Sequence, residues 1–512
     1  MSAALVAAGM LISRLSGYVR VTLFSAVFGL RIEGDIFNLA SRIPNFLQNL
    51  LGEGALSASL IPVYSALMVT DRARADQVAR AVLGVLAFIC AVVVLVGVTW
   101  TRPLVMAIAP GYHGETLDLT VHLVRVMFPG IGLLVLSAWC LAILNSHHRF
   151  FLSYVAPVCW NGALIASLIV YQHADLSRLT LMMAWASVLG AALQLGVQAP
   201  VVWRLMAMHW RSSGRGYGDH VRRVLITSVP VVFTRGGVQV SAFVDNMIAS
   251  FLPPGALSAL ANVQQLSQLP IALFGMAVSS AALPSMSTAA AANLPDALRG
   301  RLIAGQETIV ALVVPSMVVF LACGDVMIAM LLEHGKFTHA NTLDVWGVLA
   351  GSAVGLLATT VGRLYVSTFY ALGDTKTPMR IALVRFVVVA ALGYVLALPV
   401  PRLLGISAFW GTAGLTASAG VAGWIEFALL RRALQQRLGD IATPISRIGK
   451  AWLVALLAAL PATALRWALP EHAHLLRGLL ILGVFGTLYL AGAQLAGILD
   501  STAILRRVLR RR

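Results

Sequence analysis

Long apolar segments recur along the whole chain, and they constrain its fold more than any other feature. An α-helix of about 20 apolar residues crosses the hydrocarbon core of a bilayer and satisfies its own backbone hydrogen bonds. We therefore predict an all-α membrane protein with about 14 transmembrane helices. The predicted spans lie near residues 3–29, 34–69, 81–100, 117–145, 151–171, 179–207, 222–251, 256–290, 300–322, 342–372, 378–398, 406–430, 449–468 and 475–497.

Composition excludes a soluble fold. The chain is 59% hydrophobic and 11% charged, whereas soluble domains carry about 25% charged residues. The net charge of +17 does not indicate a nucleic-acid site, because most Lys and Arg residues lie in short connections between apolar segments. The four cysteines have neither a metal-binding nor a disulfide spacing. We expect no metal, no cofactor and no nucleic-acid partner.

The basic residues also predict the orientation of the chain in the membrane. Of the 37 Lys and Arg residues, roughly 23 lie in the C-terminal tail or in connections after even-numbered spans. Roughly 7 lie in connections after odd-numbered spans. Because positive residues accumulate on the cytoplasmic side, both termini are predicted to be cytoplasmic.

A weak internal repeat predicts the domain organisation. "SRLSG" at 13–17 resembles "TRGGV" at 234–238, and "ALSASLIPVYS" at 55–65 resembles "AVSSAALPSMS" at 277–287. The matches indicate two halves of six spans with the same orientation, which would form two pseudo-symmetric lobes around a central cavity. The predicted parts are an N-terminal lobe at 1–207, a basic cytoplasmic linker at 208–221, a C-terminal lobe at 222–437, and two further spans with a basic cytoplasmic tail at 438–512.

Charged residues inside the predicted spans indicate a binding function. An arginine at the bilayer centre costs about 2.5–3.5 kcal/mol on insertion scales. Since arginines outnumber acids within the spans, a water-filled cavity that receives an anionic ligand is the economical explanation. The arginines are Arg14, Arg20, Arg42, Arg125, Arg235, Arg363 and Arg385, and the acids are Asp35, Glu53, Asp245, Glu307 and Glu426.

The second span carries a polar stripe. On a regular helix the stripe residues fall within about 120° of one another. Pro44 and Gly52 interrupt the span and leave room for a bend. A stripe that faces water fits its neutral amides, and a salt-bridge ladder that only joins helices is the alternative. The stripe residues are Asp35, Asn38, Arg42, Asn45, Asn49, Glu53 and Ser57.

Three arginines are candidate phosphate ligands on the first and seventh spans. Arg14 and Arg20 are six residues apart, so they would face one cavity only if Gly17 distorts the helix. Arg235 occupies the place in the repeat that is equivalent to Arg14. Guanidinium groups bind phosphate through paired N–H bonds, which suits a phosphate or diphosphate ligand.

Asp245 is a lone acid among apolar residues of the seventh span. Arg363 and Arg385 are its candidate partners. These residues would form either a buried ion pair or a site for a coupling ion or proton.

Several motifs together resemble one transporter family. "SRLSGYVR" at 13–20 and "DIFNLASRIPNFLQNLLGEGALSASLIPVYS" at 35–65 resemble the opening of the MurJ/MviN lipid II flippases, which belong to the multidrug/oligosaccharidyl-lipid/polysaccharide exporter superfamily. The resemblance continues in order through "ILNSHHRFFLSYVAP" at 143–157, "ASFLPPGALSAL" at 249–260, "HGKFT" at 334–338 and "FYALGDTKTP" at 369–378.

The resemblance implies a function in peptidoglycan biosynthesis and cell shape. It implies a multi-pass flippase of the bacterial inner membrane that moves lipid II, an undecaprenyl-diphosphate-linked disaccharide-peptide, by alternating access. Its partners would be membrane lipids and the cell-wall synthesis machinery, and its last two spans would shape a groove for the polyprenyl tail. The implied substrate-binding residues are Arg14, Arg20, Arg42, Asp35 and Glu53, with Asn38, Asn49 and Arg235 added from the patterns above.

The chain also departs from the family pattern. Gln48 and Gln265 stand where such proteins usually have arginine, and Val21 stands where they commonly have an acid. Residues 381–393 offer no carboxylate or amide for a sodium ion that some relatives bind, and Arg385 could supply a fixed positive charge there. Arg235, Arg363 and Arg385 are hypothesised to replace the missing positive charge.

Lipid II translocation from the cytoplasmic to the periplasmic leaflet is the leading function. The alternatives are a flippase for another polyprenyl-diphosphate-linked saccharide and a multidrug exporter, although the arginine excess disfavours cationic drugs. An enzyme would need catalytic residues on a sizeable periplasmic loop, and the odd-numbered connections are short. With no Walker motif present, membrane potential is the expected energy source.

Overall fold

The computed structural model describes residues 3–206, 218–441, 445–470 and 473–499. Within its helices, the side chains of residues 3–8, 52–55, 57–58, 229–242 and 445 lie outside the description. Every regular element among the described residues is helical, which confirms the predicted fold class. Contacts along the chain divide it into two compact units, Met1–Leu257 and Ser258–Arg512.

The first unit is built from ten α-helices and one π-helical segment within the described residues. The elements are α1 (Ala3–Phe28), α2 (Ile32–Leu47), π1 (Gln48–Glu53), α3 (Gly54–Thr70), α4 (Arg72–Thr99), α5 (Thr101–Ile108), α6 (Gly114–Ser146), α7 (Phe150–Val155), α8 (Pro157–Val170), α9 (Leu176–Met206) and α10 (Gly218–Ala249). Helix α6 is largely buried and packs against α9, α2 and α4. Helix α10, the seventh predicted span, packs against α3 and groups with this unit.

The second unit contains the remaining helices. They are α11 (Ala256–Pro270), π2 (Ile271–Met276), α12 (Ala277–Ala291), α13 (Pro295–Ala322), α14 (Gly324–Leu332), α15 (His339–Ala371), α16 (Lys376–Ala397), α17 (Pro399–Leu403), a 3₁₀ turn (Ala408–Trp410), α18 (Gly411–Leu438), α19 (Ile445–Ala468) and α20 (His474–Leu495). Helix α15 is mostly buried and packs chiefly against α18 and α13.

Local sequence explains where several helices begin. Asp71 caps α4 by accepting a hydrogen bond from the Arg74 backbone N–H at 3.0 Å. Thr338 and Asn341 form a reciprocal capping box at the start of α15. Such caps satisfy backbone N–H groups that have no partner within the helix.

Both units contain an α-helix, a π-helical segment and a second α-helix in the same order. Pro44 precedes π1 and Pro270 precedes π2, and each proline removes a backbone donor from its helix. Pro62 of α3 and Pro284 of α12, which the sequence repeat aligns, both follow the π segment. The π turns alter the register, so the polar stripe predicted on one regular helix is continuous only as far as Leu47.

Twelve helices among the described residues are long and apolar enough to cross a membrane. They correspond to twelve of the predicted spans. The other two, 34–69 and 222–251, are helical as well, but π1 breaks the first, and both include residues whose side chains lie outside the description. The count of fourteen stays a prediction.

Two side-chain contacts join the final helices, α19 and α20, to the other helices of the second unit. Arg466 of α19 holds the Asp325 carboxylate with both terminal nitrogens at 2.8 Å. The Tyr489 hydroxyl of α20 donates to the Ala311 carbonyl of α13 at 2.5 Å. A bidentate charge-assisted pair fixes geometry as well as contributing energy, so it holds α19 in a defined orientation.

Candidate functional site

Arg20 is positioned by residues of α8. Its Nε donates to the side-chain oxygen of Asn161 at 3.1 Å, and the Asn161 amide donates to Ser16 Oγ at 2.9 Å. The Arg20 guanidinium also lies over the Trp160 ring, 5.2 Å from its centroid. Its terminal nitrogens have no hydrogen-bond partner among the described residues. Arg20 therefore keeps its positive charge and its planar donor edge for an anion.

Arg14 is exposed and turned away from Arg20. Helix α1 continues without interruption past Gly17, so six residues of regular helix place the two arginines about 120° apart. A Cβ at Gly17 would lie 3.8 Å from Asn161 Nδ2, which is an ordinary van der Waals distance, so the packing of α8 does not require glycine here. The distortion on which a shared cavity for Arg14 and Arg20 depends is absent from the described part of α1, and their joint contact with a substrate stays a prediction.

Arg42 lies on α2 beside α10. Asp245 of α10 is its electrostatic neighbour. One helical turn further, Phe46 and Phe243 pack edge to face with ring centroids 5.1 Å apart. Asp245 therefore has a charged neighbour within the first unit, and its pairing with the candidate partners Arg363 and Arg385 stays a prediction.

Asp35 is buried at the start of α2, where its carboxylate accepts a hydrogen bond from the Gly255 backbone N–H at 2.7 Å. Gly255 has a φ of +93°, and a Cβ there would lie 2.6 Å from the Leu30 Cβ. Burial and the Asp35 carboxylate raise the pKa of the nearby Tyr112 phenol. Asp35, predicted to bind substrate, therefore ties α2 to the loop between α10 and α11.

A second contact holds the same loop. The Gly111 backbone N–H donates to Ser250 Oγ at 3.0 Å, and Ser250 Oγ donates to the Met247 carbonyl at 2.7 Å. A Cβ on Gly111 would lie 2.3 Å from the Ser250 carbonyl oxygen. Only glycine allows this close approach.

The remaining predicted residues of the first unit are less completely placed. Asn38 and Asn49 are half-buried, Asn38 on α2 and Asn49 within π1. The side chains of Glu53 and Arg235 lie outside the described residues. Their predicted contacts with substrate stay predictions.

In the second unit, Arg385 of α16 pairs with Glu426 of α18, Nη1 to Oε2, at 2.8 Å. Arg363 of α15 is close enough to both groups to interact with them electrostatically. Glu426 is thus a carboxylate that Arg385 contacts.

Comparison with known proteins establishes the family. The family model described as lipid II flippase MurJ matches residues 24–511. The lipid II flippase MurJ of Burkholderia cenocepacia is 32% identical over 435 residues, which cover 83% of this chain and 82% of that protein. The chain belongs to the MurJ lipid II flippase family. A probable lipid II flippase MurJ of Vibrio cholerae is 27% identical and covers 97% of this chain and 96% of its own length.

Solved structures share the fold of this MurJ family member. A lipid II flippase MurJ in an inward closed conformation matches with a TM-score of 0.75 at 22% identity, covering 96% of this chain and 99% of that chain. An inward-facing MATE family multidrug transporter matches with a TM-score of 0.64 at 15% identity, over 82% of this chain and 94% of that chain. The family that the motifs resemble is confirmed. The chain is a multi-pass membrane protein of a transporter family.

In this MurJ family member, two sets of residues that hold the arginines were not predicted from the sequence. Trp160 and Asn161 hold Arg20, and Glu426 engages Arg385. Asn161 had a detectable signal, because it is an amide surrounded by apolar residues in the segment 151–171. Glu426 had been recognised only as one of the acids within the spans. Its partner could not be predicted, because the spacing of residues within one helix does not reveal which other helix packs against it.

Proposed function

We propose that this chain translocates lipid II from the cytoplasmic to the periplasmic leaflet of the bacterial inner membrane by alternating access. Both termini would lie in the cytoplasm, as the Lys and Arg distribution predicts. Family membership supports the lipid II substrate. The charged residues of the first unit supply a physical reason for a diphosphate ligand.

The position of Arg20 is the observation on which this proposal depends most. Its partners in the described residues, an amide and an aromatic ring, carry no charge. A buried cation usually has a carboxylate partner, because an unpaired charge in an apolar surrounding is costly. An arginine held in place by neutral groups is suited to receive its counter-charge from a substrate, and a diphosphate offers the matching oxygen pair.

The other first-unit residues have graded roles in this proposal. Arg42 would add a second positive group, with Asp245 moderating its charge. Asn38 and Asn49 would contribute neutral hydrogen bonds to the head group. Arg14 would act at the exposed surface of α1, and Arg235 and Glu53 remain candidates from the sequence alone.

A different polyprenyl-diphosphate-linked saccharide is the second candidate substrate. Gln48 begins π1 and Gln265 lies on α11, both half-buried, and the family usually has arginine at these positions. Two amides in place of two cations reduce the attraction for anionic parts of a head group while leaving hydrogen bonding intact. This change favours a less acidic saccharide-peptide.

Membrane potential would drive the cycle. A single elementary charge moved through 100 mV gains about 2.3 kcal/mol. Excess positive charge on the empty carrier and negative charge on the loaded one would make the two half-cycles respond to the potential in opposite directions.

Depletion with leaflet-resolved labelling tests the proposal. Cells that rely on this chain for growth are depleted of it, and lipid II is labelled from the periplasmic side. We expect lipid II to accumulate in the cytoplasmic leaflet. Normal periplasmic labelling would eliminate lipid II as the substrate. Cytoplasmic accumulation of another lipid-linked saccharide alone would favour the second candidate.

A further inference from the structure

Three charged side chains meet inside the second unit, one from each of α15, α16 and α18. Arg385 contacts Glu426 at 2.8 Å, and the Glu426 side chain is only 12% exposed. Arg363 has both of these residues as electrostatic neighbours. Helix α18 packs against both α15 and α16, which brings the three side chains together. We call Arg363, Arg385 and Glu426 the second-unit cluster.

The charges of this cluster do not balance. Two guanidinium groups share a single carboxylate, and Glu426 is already engaged by Arg385. The Arg363 Nε is buried and has no hydrogen-bond partner among the described residues. A buried cationic donor without a partner is costly. An anion that binds beside Arg363 would therefore remove a free-energy penalty.

The packing of α15 against α18 leaves space beside Arg363. The two helices touch closely at Gly355, where a Cβ would lie 2.3 Å from the Gly420 Cα. Gly362 is seven residues later and so lies on nearly the same face of α15. Gly362 is buried, yet a Cβ there would meet no heavy atom within 4 Å. The tight seam therefore opens one residue before Arg363.

The cluster lies nearer to the loop between α15 and α16 than to the opposite ends of these two helices. Arg363 lies eight residues before the end of α15, and Arg385 lies nine residues after the start of α16. At 1.5 Å per residue, both lie about 12–14 Å from the loop that joins these helices. Helix α15 is about 50 Å long, about 20 Å more than a 30 Å hydrocarbon core, so part of it extends to the level of the lipid headgroups.

We propose that the second-unit cluster is a binding site for a phosphate group, supplied by the headgroup of a membrane lipid. Arg363 and the free edge of Arg385 hold the phosphate oxygens, a geometry that guanidinium groups favour. Glu426 competes with the phosphate for Arg385 and so limits the affinity. The site is built from second-unit residues alone and does not depend on which lipid the protein translocates.

A lipid titration tests this site. The full chain is placed in dodecyl maltoside micelles, which contain no phosphate, and its unfolding midpoint is followed as phosphatidylglycerol is added at constant ionic strength. A second series adds inorganic phosphate instead. We expect the unfolding midpoint to rise with added phosphatidylglycerol and then to level off. Saturation with phosphatidylglycerol alone identifies the lipid headgroup, and saturation with inorganic phosphate as well shows that the phosphate group suffices.

Three variants separate a binding site from a purely structural triad. Arg363→Gln should raise the ligand concentration at half-saturation roughly tenfold, because one charge-assisted contact is lost. Glu426→Gln should lower this concentration, because the competing carboxylate is gone. Arg102→Gln removes an arginine from an exposed pair with Asp118 and should leave half-saturation unchanged.

Two results would overturn the proposal. One is an unchanged titration in Arg363→Gln. The other is a Glu426→Gln protein that loses stability without gaining affinity, as expected of a triad that only joins helices. Should Arg363→Gln fail to fold, Arg363→Lys keeps the charge, and the Glu426→Gln titration decides the question alone.

Discussion

Arg20 and Asn161 are joined across α1 and α8 by a hydrogen bond of 3.1 Å between a guanidinium Nε and an amide oxygen. The contact orients the guanidinium without neutralising it. Trp160, the residue before Asn161, covers the guanidinium from one side. One short stretch of α8 thus sets both the direction and the surroundings of this charge.

Replacing the amide by an acid should inactivate the site while preserving the fold. Asn161→Asp would form an ion pair with Arg20, and a substrate phosphate would have to displace it. A hydrogen bond to a charged group contributes about 1.5–3 kcal/mol, so we expect flipping to fall roughly tenfold or more. Leaflet-resolved lipid II labelling measures the rate, and membrane abundance checks folding. Ser187→Ala, which removes only the Trp160 N–H partner, is the matched control. Equal activity of Asn161→Asp and the wild type would contradict the role given to Arg20.

The Asp35–Gly255 tie should matter for stability. Asp35→Ala leaves the Gly255 N–H without its acceptor and should cost about 1.5–3 kcal/mol of unfolding free energy. Gly255→Ala should be at least as harmful, because the positive φ and the nearby Leu30 both oppose a Cβ. Thermal unfolding in detergent measures both effects. A stable Asp35→Ala protein with no transport activity would instead return Asp35 to the substrate site.

The glycine seam between α15 and α18 predicts a position-dependent response to one added methyl group. Gly355→Ala pushes against the Gly420 backbone and should destabilise the chain by about 1–3 kcal/mol. Gly362→Ala meets no heavy atom within 4 Å and should leave the unfolding midpoint nearly unchanged. Both glycines are buried in the same helix, so they form a matched pair. Equal effects at the two sites would refute the packing described for this seam.

His147 makes stability depend on pH. Its Nε2 lies 3.0 Å from the Tyr64 hydroxyl, which also bonds Asp76. Burial, followed by the charge of Arg72, lowers the pKa of His147. Below about pH 6.5 the unfolded chain takes up a proton that the folded chain resists, so stability falls as the pH drops from there toward the folded pKa.

The test compares unfolding midpoints between pH 8 and pH 5. The wild-type midpoint should decline below about pH 6.5, and His147→Gln should decline less. Parallel curves for the two proteins would show that the dependence has another origin.

The helices of this chain could be predicted from its sequence, because an apolar segment of about 20 residues is by itself sufficient to indicate a membrane-spanning helix. The predicted segments 117–145 and 342–372 differ from α6 and α15 by only a few residues at either end. The repeat also aligned Pro62 with Pro284, and the two units do share an α–π–α arrangement around these prolines.

The site was less predictable because its geometry depends on contacts between segments. A regular helix was assumed from Asp35 to Ser57, and π1 breaks that register. Asp35 had the same sequence signal as a cavity acid, yet its partner is a backbone N–H some 220 residues away. Arg385 pairs with Glu426 because α16 packs on α18, and the sequence places Glu426 only among the acids within the spans.

Arg20→Gln provides the most direct test of the central claim, that a guanidinium held by neutral partners binds the diphosphate of a lipid carrier. Cells are made to depend on this chain alone, and lipid II is labelled from the periplasmic side in strains with wild-type or Arg20→Gln protein at equal membrane abundance. We predict that the variant confines lipid II to the cytoplasmic leaflet. Wild-type periplasmic labelling in the Arg20→Gln strain would contradict the account.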